Sequence, residues 1–398
     1  MSRLPMREAF LLPKGIYLDG NSLGPASLAA HAALERRFRQ WQHRAVEGWE
    51  EWFGLAERLA PALGRLVGAH PDEVVPTGGI TVNLHALLAG FYRPHGERNA
   101  IVALAREFPS DLYALRSWTE RMGGELRLVG GQDELVDETE VEAALDETVA
   151  LAWLPVVGYR SGQRFDVARL TRAAHAVGAL AGWDAAHSVG ALPHTFHDDG
   201  VDVAVWCSYK YLNAGPGAPG GLFVHRRHHG RTPGLPGWWG HAKDGQFALR
   251  PDFTAAEGAG GWQIGTPSIL ALAGLEGALA LFEEVGIEEV RARSLQLTER
   301  LRIGLERDVP ELTIVTPRAA DRRGGHVAVR HPEAARLSQA LRARDVVPDH
   351  RPPDLLRLAP VAFYSLDDEI DQVVELLREL LDGGLDEVAV GATSSRVP

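Results

Sequence analysis

Short apolar runs alternate with helical patterns through the middle of the chain. Apolar runs bounded by Gly, Pro or Asp are typical of buried strands. The segments between them repeat apolar residues every three or four positions, as one-sided helices do. The pattern predicts strands at Asn99–Leu104, Glu125–Val129, Val149–Val157, Ala179–Trp183, Val201–Cys207 and Gly221–Val224, with helices at Leu84–Phe91, Asp111–Arg121, Asp137–Asp146 and Val167–Val177.

This alternation predicts an α/β fold in which helices flank a mostly parallel sheet on both faces. Ligands of such folds bind beyond the carboxyl ends of the strands. Polar residues that directly follow a predicted strand are therefore the first candidates for a functional site.

The pattern changes after about Ser268, where two long helices begin. The rest of the chain predicts a smaller C-terminal α/β domain with strands at Leu312–Val315, His326–Val329 and Leu355–Leu358, and helices at Ile269–Val285, Glu288–Glu306, Pro332–Arg342 and Leu366–Leu381. We expect a large domain at 41–285. A small domain, with an N-terminal arm and a frayed tail at Leu385–Pro398, is expected to combine 1–40 and 286–398.

Composition narrows the class of protein. The chain has 398 residues and a formal net charge of −12, so it lacks the electrostatic footprint of a nucleic-acid-binding protein. No apolar run reaches membrane-spanning length, and a single cysteine, Cys207, excludes an internal disulfide framework. We expect a cytoplasmic enzyme.

Lysine is rare, and one lysine stands where a buried strand ends. Only Lys14, Lys210 and Lys243 occur, and Lys210 follows the apolar run that ends at Cys207. A lysine there can simply extend to solvent. An enzyme that holds an aldehyde cofactor as a Schiff base, however, needs one amine on a rigid element.

A carboxylate and an imidazole follow the preceding strand. Asp184 ends the run Ala179–Trp183, and His187 comes three residues later. In a parallel sheet one crossover brings Asp184 and Lys210 to the same edge. Asp184 can pair with a protonated pyridine nitrogen, although Asp is also a common helix N-cap. His187 alone is equally well explained as a satisfied polar residue.

Two helix starts offer a phosphate site and a stacking ring. The segment from Pro76 to Leu84 contains Gly78-Gly79-Ile80-Thr81 at the start of a helix, where backbone N–H groups and a hydroxyl can bind phosphate. Phe108 precedes the next helix start and can stack on a planar cofactor, although an aromatic at a core edge is the commoner explanation.

Eight short motifs follow one another along the chain from about residue 15 to residue 365. They are Asp19-Gly20-Asn21-Ser22-Leu23-Gly24, Thr81-Val82-Asn83-Leu84-His85, Phe108-Pro109-Ser110-Asp111, Asp184-Ala185-Ala186-His187, Ser208-Tyr209-Lys210-Tyr211-Leu212-Asn213-Ala214-Gly215, Gly237-Trp238-Trp239-Gly240-His241, Ile264-Gly265-Thr266-Pro267 and Arg357-Leu358-Ala359-Pro360-Val361-Ala362-Phe363-Tyr364. Together they resemble kynureninase. Each motif is weak by itself, but their common order is specific.

The resemblance implies a pyridoxal-phosphate enzyme of the aspartate-aminotransferase fold (fold type I), working as a homodimer with its active site at the subunit interface. It implies that Lys210 carries the cofactor and that Tyr209 assists proton transfer. Cofactor contacts are implied for Ile80, Thr81, Phe108, Ser110, Asp111, Asp184, His187, Tyr209, Lys210, Trp238 and Thr266, of which Trp238 and Thr266 come from the second subunit. Substrate contacts are implied for Asn21, Ser22 and Arg357.

The implied reaction is hydrolysis of L-kynurenine or 3-hydroxykynurenine to anthranilate or 3-hydroxyanthranilate and L-alanine, within tryptophan catabolism. Thr266 departs from the Asn common in the family, and the loop from Gly215 to Pro219 is unusually proline-rich. The choice between the two substrates therefore stays open, with Thr266 and the Trp49 region as the candidates for it.

Other interpretations remain. A second pyridoxal-phosphate reaction on the same fold, such as an epimerase, aminotransferase or cysteine desulfurase, is the main alternative, although a desulfurase needs a thiol on a mobile loop and Cys207 lies in a predicted strand. A non-enzymatic sensor of the same fold is less favoured.

Two further clusters of residues have simpler interpretations. The aromatic residues near the N-terminus fit one face of an amphipathic helix; they are Trp41, Trp49, Trp52 and Phe53. The adjacent His225, His228 and His229 lack the facing geometry of metal ligands, so no metal is expected.

Overall fold

The computed structural model describes residues 3–131 and 133–385, so all of the predicted tail except Leu385 lies outside it. Its strands are β1 (Phe10–Leu11), β2 (Ile16–Tyr17), β3 (Ala26–Ser27), β4 (Val74–Pro76), β5 (Ala100–Leu104), β6 (Glu125–Val129), β7 (Val149–Pro155), β8 (Leu180–Asp184), β9 (Val203–Trp206), β10 (Gly221–Val224), β11 (Thr313–Ile314), β12 (Val327–Arg330), β13 (Val346–Val347), β14 (Asp349–Arg351) and β15 (Leu355–Leu358). Its α-helices are α1 (Leu28–Arg44), α2 (Trp49–Trp52), α3 (Leu55–Val67), α4 (Ile80–Phe91), α5 (Pro109–Met122), α6 (Glu138–Ala143), α7 (Val167–Ala176), α8 (Ile269–Val285), α9 (Ile287–Asp308), α10 (Ala334–Arg342) and α11 (Asp367–Glu379).

The large sheet has seven strands in the order β4-β10-β9-β8-β7-β5-β6. The neighbours from β9 to β6 pair in parallel, whereas β10 is antiparallel to both β9 and β4. Every residue of β5, β9 and β10 is buried, because helices cover both faces of the sheet. The predicted mostly parallel sheet is confirmed. Strand β4 escaped prediction because its three residues, Val74–Pro76, are too few to show a period.

Local side chains explain where the flanking helices begin. Pro109 occupies the first position of α5, where its missing N–H is not needed. The Asp166 carboxylate accepts the Arg169 N–H at 2.9 Å and caps α7. These helix starts end the loops that follow β5 and β7, and those loops form part of the edge on which the site lies.

The N-terminal helix α1 packs closely against α8. A Cβ built on Gly277 would come within 2.3 Å of the Ala29 carbonyl oxygen. Glycine at 277 is therefore required for the two helix backbones to approach this closely. The contact secures the N-terminal segment, which carries Asn21 and Ser22, against the large sheet.

The C-terminal part contains a four-stranded antiparallel sheet in the order β11-β12-β15-β14. Its core is separate from that of the large sheet, and Ile16 joins it from the N-terminal segment. Phe10 and the residues 361–364 instead pack in the core of the large sheet. The chain thus crosses between the two cores, and the predicted boundaries at 41 and 286 stay predictions. Among the described residues, no helix combines the length and hydrophobicity required to cross a membrane.

Candidate active site

One cavity of about 360 Å³ lies beyond the carboxyl ends of the parallel strands, where the sequence placed the site. The large sheet contributes the loops after β5, β7, β8 and β9, and the N-terminal segment closes one side. The cavity is lined by Asn21, Ser22, Gly79, Ile80, Thr81, Val82, Phe108, Ser110, Asp111, Tyr159, Asp184, Ala186, His187, Tyr209, Lys210 and Arg351.

Lys210 is the lysine that reaches this cavity. Its Nζ lies 2.9 Å from His187 Nε2 and 5.9 Å from the centre of the Phe108 ring. Lys14 instead pairs with Asp345 at 2.8 Å, and Lys243 lies 4.2 Å above the Trp239 ring. Lys210, the side chain predicted as the reactive amine, is therefore the lysine that a ligand in the cavity can contact.

Three buried carboxyl groups face one another beside Lys210. Oxygens of Glu107, Asp111 and Asp184 lie within 4.8 Å of one another. Burial raises the pKa of all three; the Asp111 and Asp184 charges raise the pKa of Glu107 further, whereas Lys210 opposes the rise at Asp184. Burial and mutual repulsion therefore favour the protonated form within this cluster, and a protonated carboxyl can donate a hydrogen bond to its neighbours.

Asp184 and Asp111 each accept a hydrogen bond from one fixed donor. Asp184 Oδ1 accepts the Ala186 N–H at 2.7 Å, and Asp111 Oδ2 accepts Trp153 Nε1–H at 2.8 Å. Asp111 Oδ1 and Glu107 Oε2 are buried without a partner. The carboxyl groups are thus held in place, yet retain oxygens with unused hydrogen-bonding capacity.

The start of α4 forms an open polar cradle. The helix begins at Ile80, and a Cβ added to Gly79 would meet nothing within 4 Å. Thr81 Oγ1 and Ser110 Oγ lie 2.6 Å apart, so the first turns of α4 and α5 present two hydroxyl groups to the same space. Free backbone N–H groups and hydroxyl groups at a helix N-terminus are the chemistry that binds a phosphate.

Tyr209 and His187 line the cavity as neutral groups. Burial, followed by the neighbouring Cys207 thiol, raises the pKa of the Tyr209 phenol. Burial and then the Lys210 charge lower the pKa of His187 far below its usual range. The phenol can therefore donate a hydrogen bond at neutral pH, and the imidazole can accept one.

The predicted carboxylate-binding arginine is fully buried behind the cavity. Arg357 is ion-paired with Asp349, donates from Nη1 to the Tyr159 carbonyl at 2.5 Å and from Nη2 to Ser22 Oγ at 3.2 Å. Burial lowers its pKa to about 10. It is not one of the lining residues, but Ser22 and Arg351 beside it are. Asn21 lines the same end and is buried, with neither side-chain atom hydrogen-bonded.

Two predicted site residues lie elsewhere on this chain. Trp238 and Thr266 are exposed and do not line the cavity. Trp238 contacts Phe247, with ring centres 5.9 Å apart. Since both residues were assigned to a second subunit, their predicted contacts stay predictions.

Sequence reasoning missed three residues of this site, Tyr159, Arg351 and Glu107. The Tyr159 ring meets Phe108 edge-on at 5.4 Å and lies two residues beyond the predicted end of strand β7. Tyr159 and Glu107 both lie just beyond the end of a predicted strand, and this position could have marked them as site candidates from the sequence. Arg351 precedes the last strand and has no such signal.

The adjacent histidines of the sequence have separate hydrogen-bond partners. His228 pairs with Asp202 at 2.7 Å, and His225 Nδ1 accepts the Arg227 N–H at 3.2 Å.

Comparison with known proteins identifies the family. Residues 290–377 match the family model described as the kynureninase C-terminal domain. A kynureninase of Geobacillus thermodenitrificans is 44% identical over 385 residues, 94% of this chain and 90% of the relative. A kynureninase of Bacillus cereus is 43% identical over 377 residues, 92% and 88% of the two chains. The chain belongs to the kynureninase family.

Solved structures of other enzymes share the fold. The cysteine desulfurase of Thermococcus onnurineus superposes with a TM-score of 0.84 at 21% identity, covering 96% of this chain and all of the other. A C-DES mutant with glycine linked to its PLP cofactor gives a TM-score of 0.83 at 22% identity, covering 94% and 99%. At this identity the likeness concerns the fold alone. The predicted family and the predicted fold class are both confirmed.

Proposed function

We propose that this chain hydrolyses L-kynurenine, with 3-hydroxykynurenine as the alternative substrate, using pyridoxal phosphate. The reaction adds water across the bond between the β- and γ-carbons. Hydroxyl goes to the γ-carbon, which becomes the carboxylate of anthranilate, and hydrogen goes to the β-carbon, which becomes the methyl group of L-alanine. The observation that carries the proposal is the convergence of Lys210, Asp184 and the start of α4 on one cavity in a chain of this family.

The residues present fit pyridoxal phosphate. Its phosphate suits the N-terminus of α4 with the hydroxyl groups of Thr81 and Ser110, and Tyr209 lines the same cavity. Phe108 offers a ring face beside Lys210. Asp184, buried and near two acids with unpartnered oxygens, suits a protonated ring nitrogen. When bound, the cofactor supplies an electron sink for charge that develops on the substrate's carbon atoms.

Lys210 moves the protons at the substrate carbons. Its amine lies next to His187 Nε2, which accepts a hydrogen bond from Lys210 whenever the amine is protonated. Because its lowered pKa keeps His187 neutral, it does not compete with Lys210 for the proton. Tyr209 keeps its phenolic proton and donates it to an oxygen that gains charge.

The substrate carboxylate binds at the Ser22 end of the cavity. Arg357 lies directly behind the Ser22 hydroxyl, to which it donates at 3.2 Å. A carboxylate that displaces this hydroxyl meets the guanidinium, which offers a paired set of donors. Arg351, which lines the cavity, adds a second positive charge at the same end.

We further propose that the enzyme works as a cytoplasmic homodimer. The segment that carries Trp238 also exposes Phe247 and Leu249, whose side chains are 70% and 73% accessible. A cluster of large exposed apolar side chains favours burial against a partner. The family resemblance implies that a second copy of the chain docks on this segment and that Trp238 and Thr266 of each subunit then complete the site of the other. Sedimentation of the purified chain at twice its 43.2 kDa mass supports this, and a monomer at micromolar concentration contradicts it.

The deciding experiment mixes the pyridoxal-phosphate-loaded chain with L-kynurenine and measures anthranilate fluorescence. We expect steady production of anthranilate, lost by at least about a thousandfold in Lys210→Ala because both the anchor and the base are removed. The matched control is Lys14→Ala, which changes an exposed lysine and should leave the rate unchanged. A folded, cofactor-loaded chain that leaves kynurenine intact but converts another amino acid sinks the proposal.

Cysteine desulfuration is the second candidate, because the structural relatives include cysteine desulfurases. The single thiol argues against it. Cys207 is buried, and burial raises its pKa, so it is a poor nucleophile. Sulfide release from L-cysteine, measured in the same preparation, separates the two reactions.

A further inference from the structure

A buried histidine from the C-terminal part of the chain lies behind the candidate site. His326, immediately before β12, is fully buried, and neither of its ring nitrogens makes a hydrogen bond of ordinary geometry, although the Arg160 carbonyl lies close enough to act on its pKa. The loop after β7 is shaped to receive it: a Cβ on Gly162, whose φ is +72°, would approach His326 Nε2 to 3.2 Å. Gly324 N–H donates to the Gly162 carbonyl at 2.8 Å and holds the two segments together. Orphaned buried imidazole nitrogens call for a functional explanation.

The ring that His326 faces on the cavity side is His187. The two ring centres lie 6.1 Å apart, with an angle of 65° between the planes. His187 Nε2 is 2.9 Å from Lys210 Nζ, but His187 Nδ1 is buried without a partner. Lys210, His187 and His326 thus form a series that runs from the cavity into the protein interior.

The hydrogen-bonding capacity of each group sets the positions of the protons. A Lys210 ammonium group has only donors, so His187 Nε2 accepts and the proton of the neutral ring sits on Nδ1. A buried Nδ1–H requires an acceptor. A neutral His326 has one ring nitrogen with a free lone pair, while its N–H can turn to the backbone carbonyl of Arg160, which acts to raise its pKa.

The charges around the pair keep both rings neutral. Burial, and then the Arg357 charge, lower the pKa of His326 to about 3. The charged groups that act on the two histidines are Lys210 beyond β9, Arg357 on β15 and Arg351 on β14. All three are cationic and oppose protonation of either ring. The Tyr211 phenol packs against the backbone at Gly325, where a built Cβ would approach it to 3.0 Å, and it is neutral because burial raises its pKa.

We propose that His326 is a positioning residue that accepts the Nδ1–H of His187 and so keeps the His187 Nε2 lone pair directed at Lys210. Rings joined by a direct N–H···N bond have centres about 5 Å apart. The observed separation of the ring centres, 6.1 Å, is about 1 Å longer than this, so the bond forms when either side chain moves by about that distance towards the other. The proposal rests on the proposed function only in taking Lys210 as the amine that carries the cofactor.

The first test compares His326→Leu, which removes the acceptor at similar volume, with His326→Gln, which keeps one. The readout is the pH titration of the visible absorption of the pyridoxal-phosphate-loaded enzyme, which needs no substrate. We expect His326→Leu to lower the titration midpoint by about one pH unit, a tenfold change in the acid constant, because the protonated Lys210 nitrogen loses a well-oriented acceptor. His326→Gln should stay within about 0.3 unit of the unmodified enzyme.

A double-mutant cycle then tests whether the effect passes through His187. In a His187→Gln background, His326→Leu should produce no further shift, because the ring that it positions is absent. An equal shift in both backgrounds, or no shift in a folded His326→Leu enzyme, overturns the proposal.

A measurement without variants at His326 keeps the proposal testable if His326→Leu does not fold. Nitrogen-15 NMR of the cofactor-free enzyme, with His187 assigned by comparison with His187→Gln, should place the His187 proton on Nδ1. A proton on Nε2 contradicts the inference. Neither readout uses kynurenine, so failure of the proposed substrate would leave this result intact.

Discussion

Arg357 and Asp349 form an ion pair in which both side chains are fully buried. They are register partners on the neighbouring strands β15 and β14. The pair lies directly behind Ser22, so the group proposed to bind the substrate carboxylate already has a carboxylate partner from its own chain. The pairing keeps a buried guanidinium charge in place before substrate arrives.

Asp349→Ala should lower the free energy of unfolding by about 3–5 kcal/mol, because it leaves the buried Arg357 charge unpaired. The control is Lys14→Ala, which breaks the exposed ion pair between Lys14 and Asp345 and should leave stability unchanged within error. Urea unfolding of the cofactor-free variants measures both. Equal losses of unfolding free energy in the two variants would show that the buried pair contributes no more to stability than the exposed one.

Arg357→Lys should raise KM for kynurenine by about tenfold or more, since a lysine cannot reproduce the paired donors of the guanidinium. Arg351→Gln should raise KM less, because Arg351 acts through charge at the cavity wall. Steady-state kinetics on folded variants provide the comparison. A larger KM effect for Arg351→Gln would transfer the carboxylate-binding role to Arg351.

Glu107→Gln should reduce the loss of folding stability that the cofactor-free chain shows as the pH rises from 5 to 8. Burial raises the folded-state pKa of Glu107 above its ordinary value of 4.5, so the folded state binds more protons than the unfolded state. The stability contributed by the protonated carboxyl is complete below pH 4.5 and is lost as the pH rises towards the raised value. Unfolding at pH 5 and pH 8 should show a smaller decrease for Glu107→Gln than for the unmodified chain.

The control for this pH effect is Glu140→Gln, an exposed position on α6. It should keep the full decrease between the two pH values. If Glu107→Gln shows the same pH slope as the unmodified chain, Glu107 is ionised in the folded state and the raised pKa is wrong.

Thr81→Val and Ser110→Ala should each weaken pyridoxal-phosphate binding about tenfold, because a hydrogen bond to a charged group contributes about 1.5–3 kcal/mol. Ser117→Ala, on the same helix as Ser110 but outside the cavity, should bind normally. Fluorescence titration of the cofactor-free enzyme gives the dissociation constants. Unchanged dissociation constants in both Thr81→Val and Ser110→Ala would contradict the proposal that the cofactor phosphate binds at the start of α4.

Much of the large sheet was predictable from the sequence. Each predicted strand from 99 to 224 corresponds to an observed one, with ends that differ by at most two residues. These strands are buried on both faces and are separated by helices with one apolar side, and both features leave a strong local signal. Lys210 became the candidate amine in the same way, since an isolated lysine at the end of a buried strand conflicts with packing.

Other site residues left a weaker signal or none. Arg351 and His326 come from the C-terminal sheet and reach the site only because that sheet packs against the loop after β7. Trp238 and Thr266 lie outside the cavity of a single chain. Contacts between segments more than a hundred residues apart depend on how whole layers pack, and no local periodicity encodes them.

The sequence by itself determined the fold class, the family, and the placement of Lys210, Asp184 and the start of α4 at the strand ends, because those features follow from local patterns and short ordered motifs. Only the tertiary structure decided that Glu107, Asp111 and Asp184 share one buried space, that Arg357 is paired with Asp349, and that His326 faces His187. The physical reason is that charge coupling and hydrogen bonding depend on distances of a few ångströms between groups far apart in the chain.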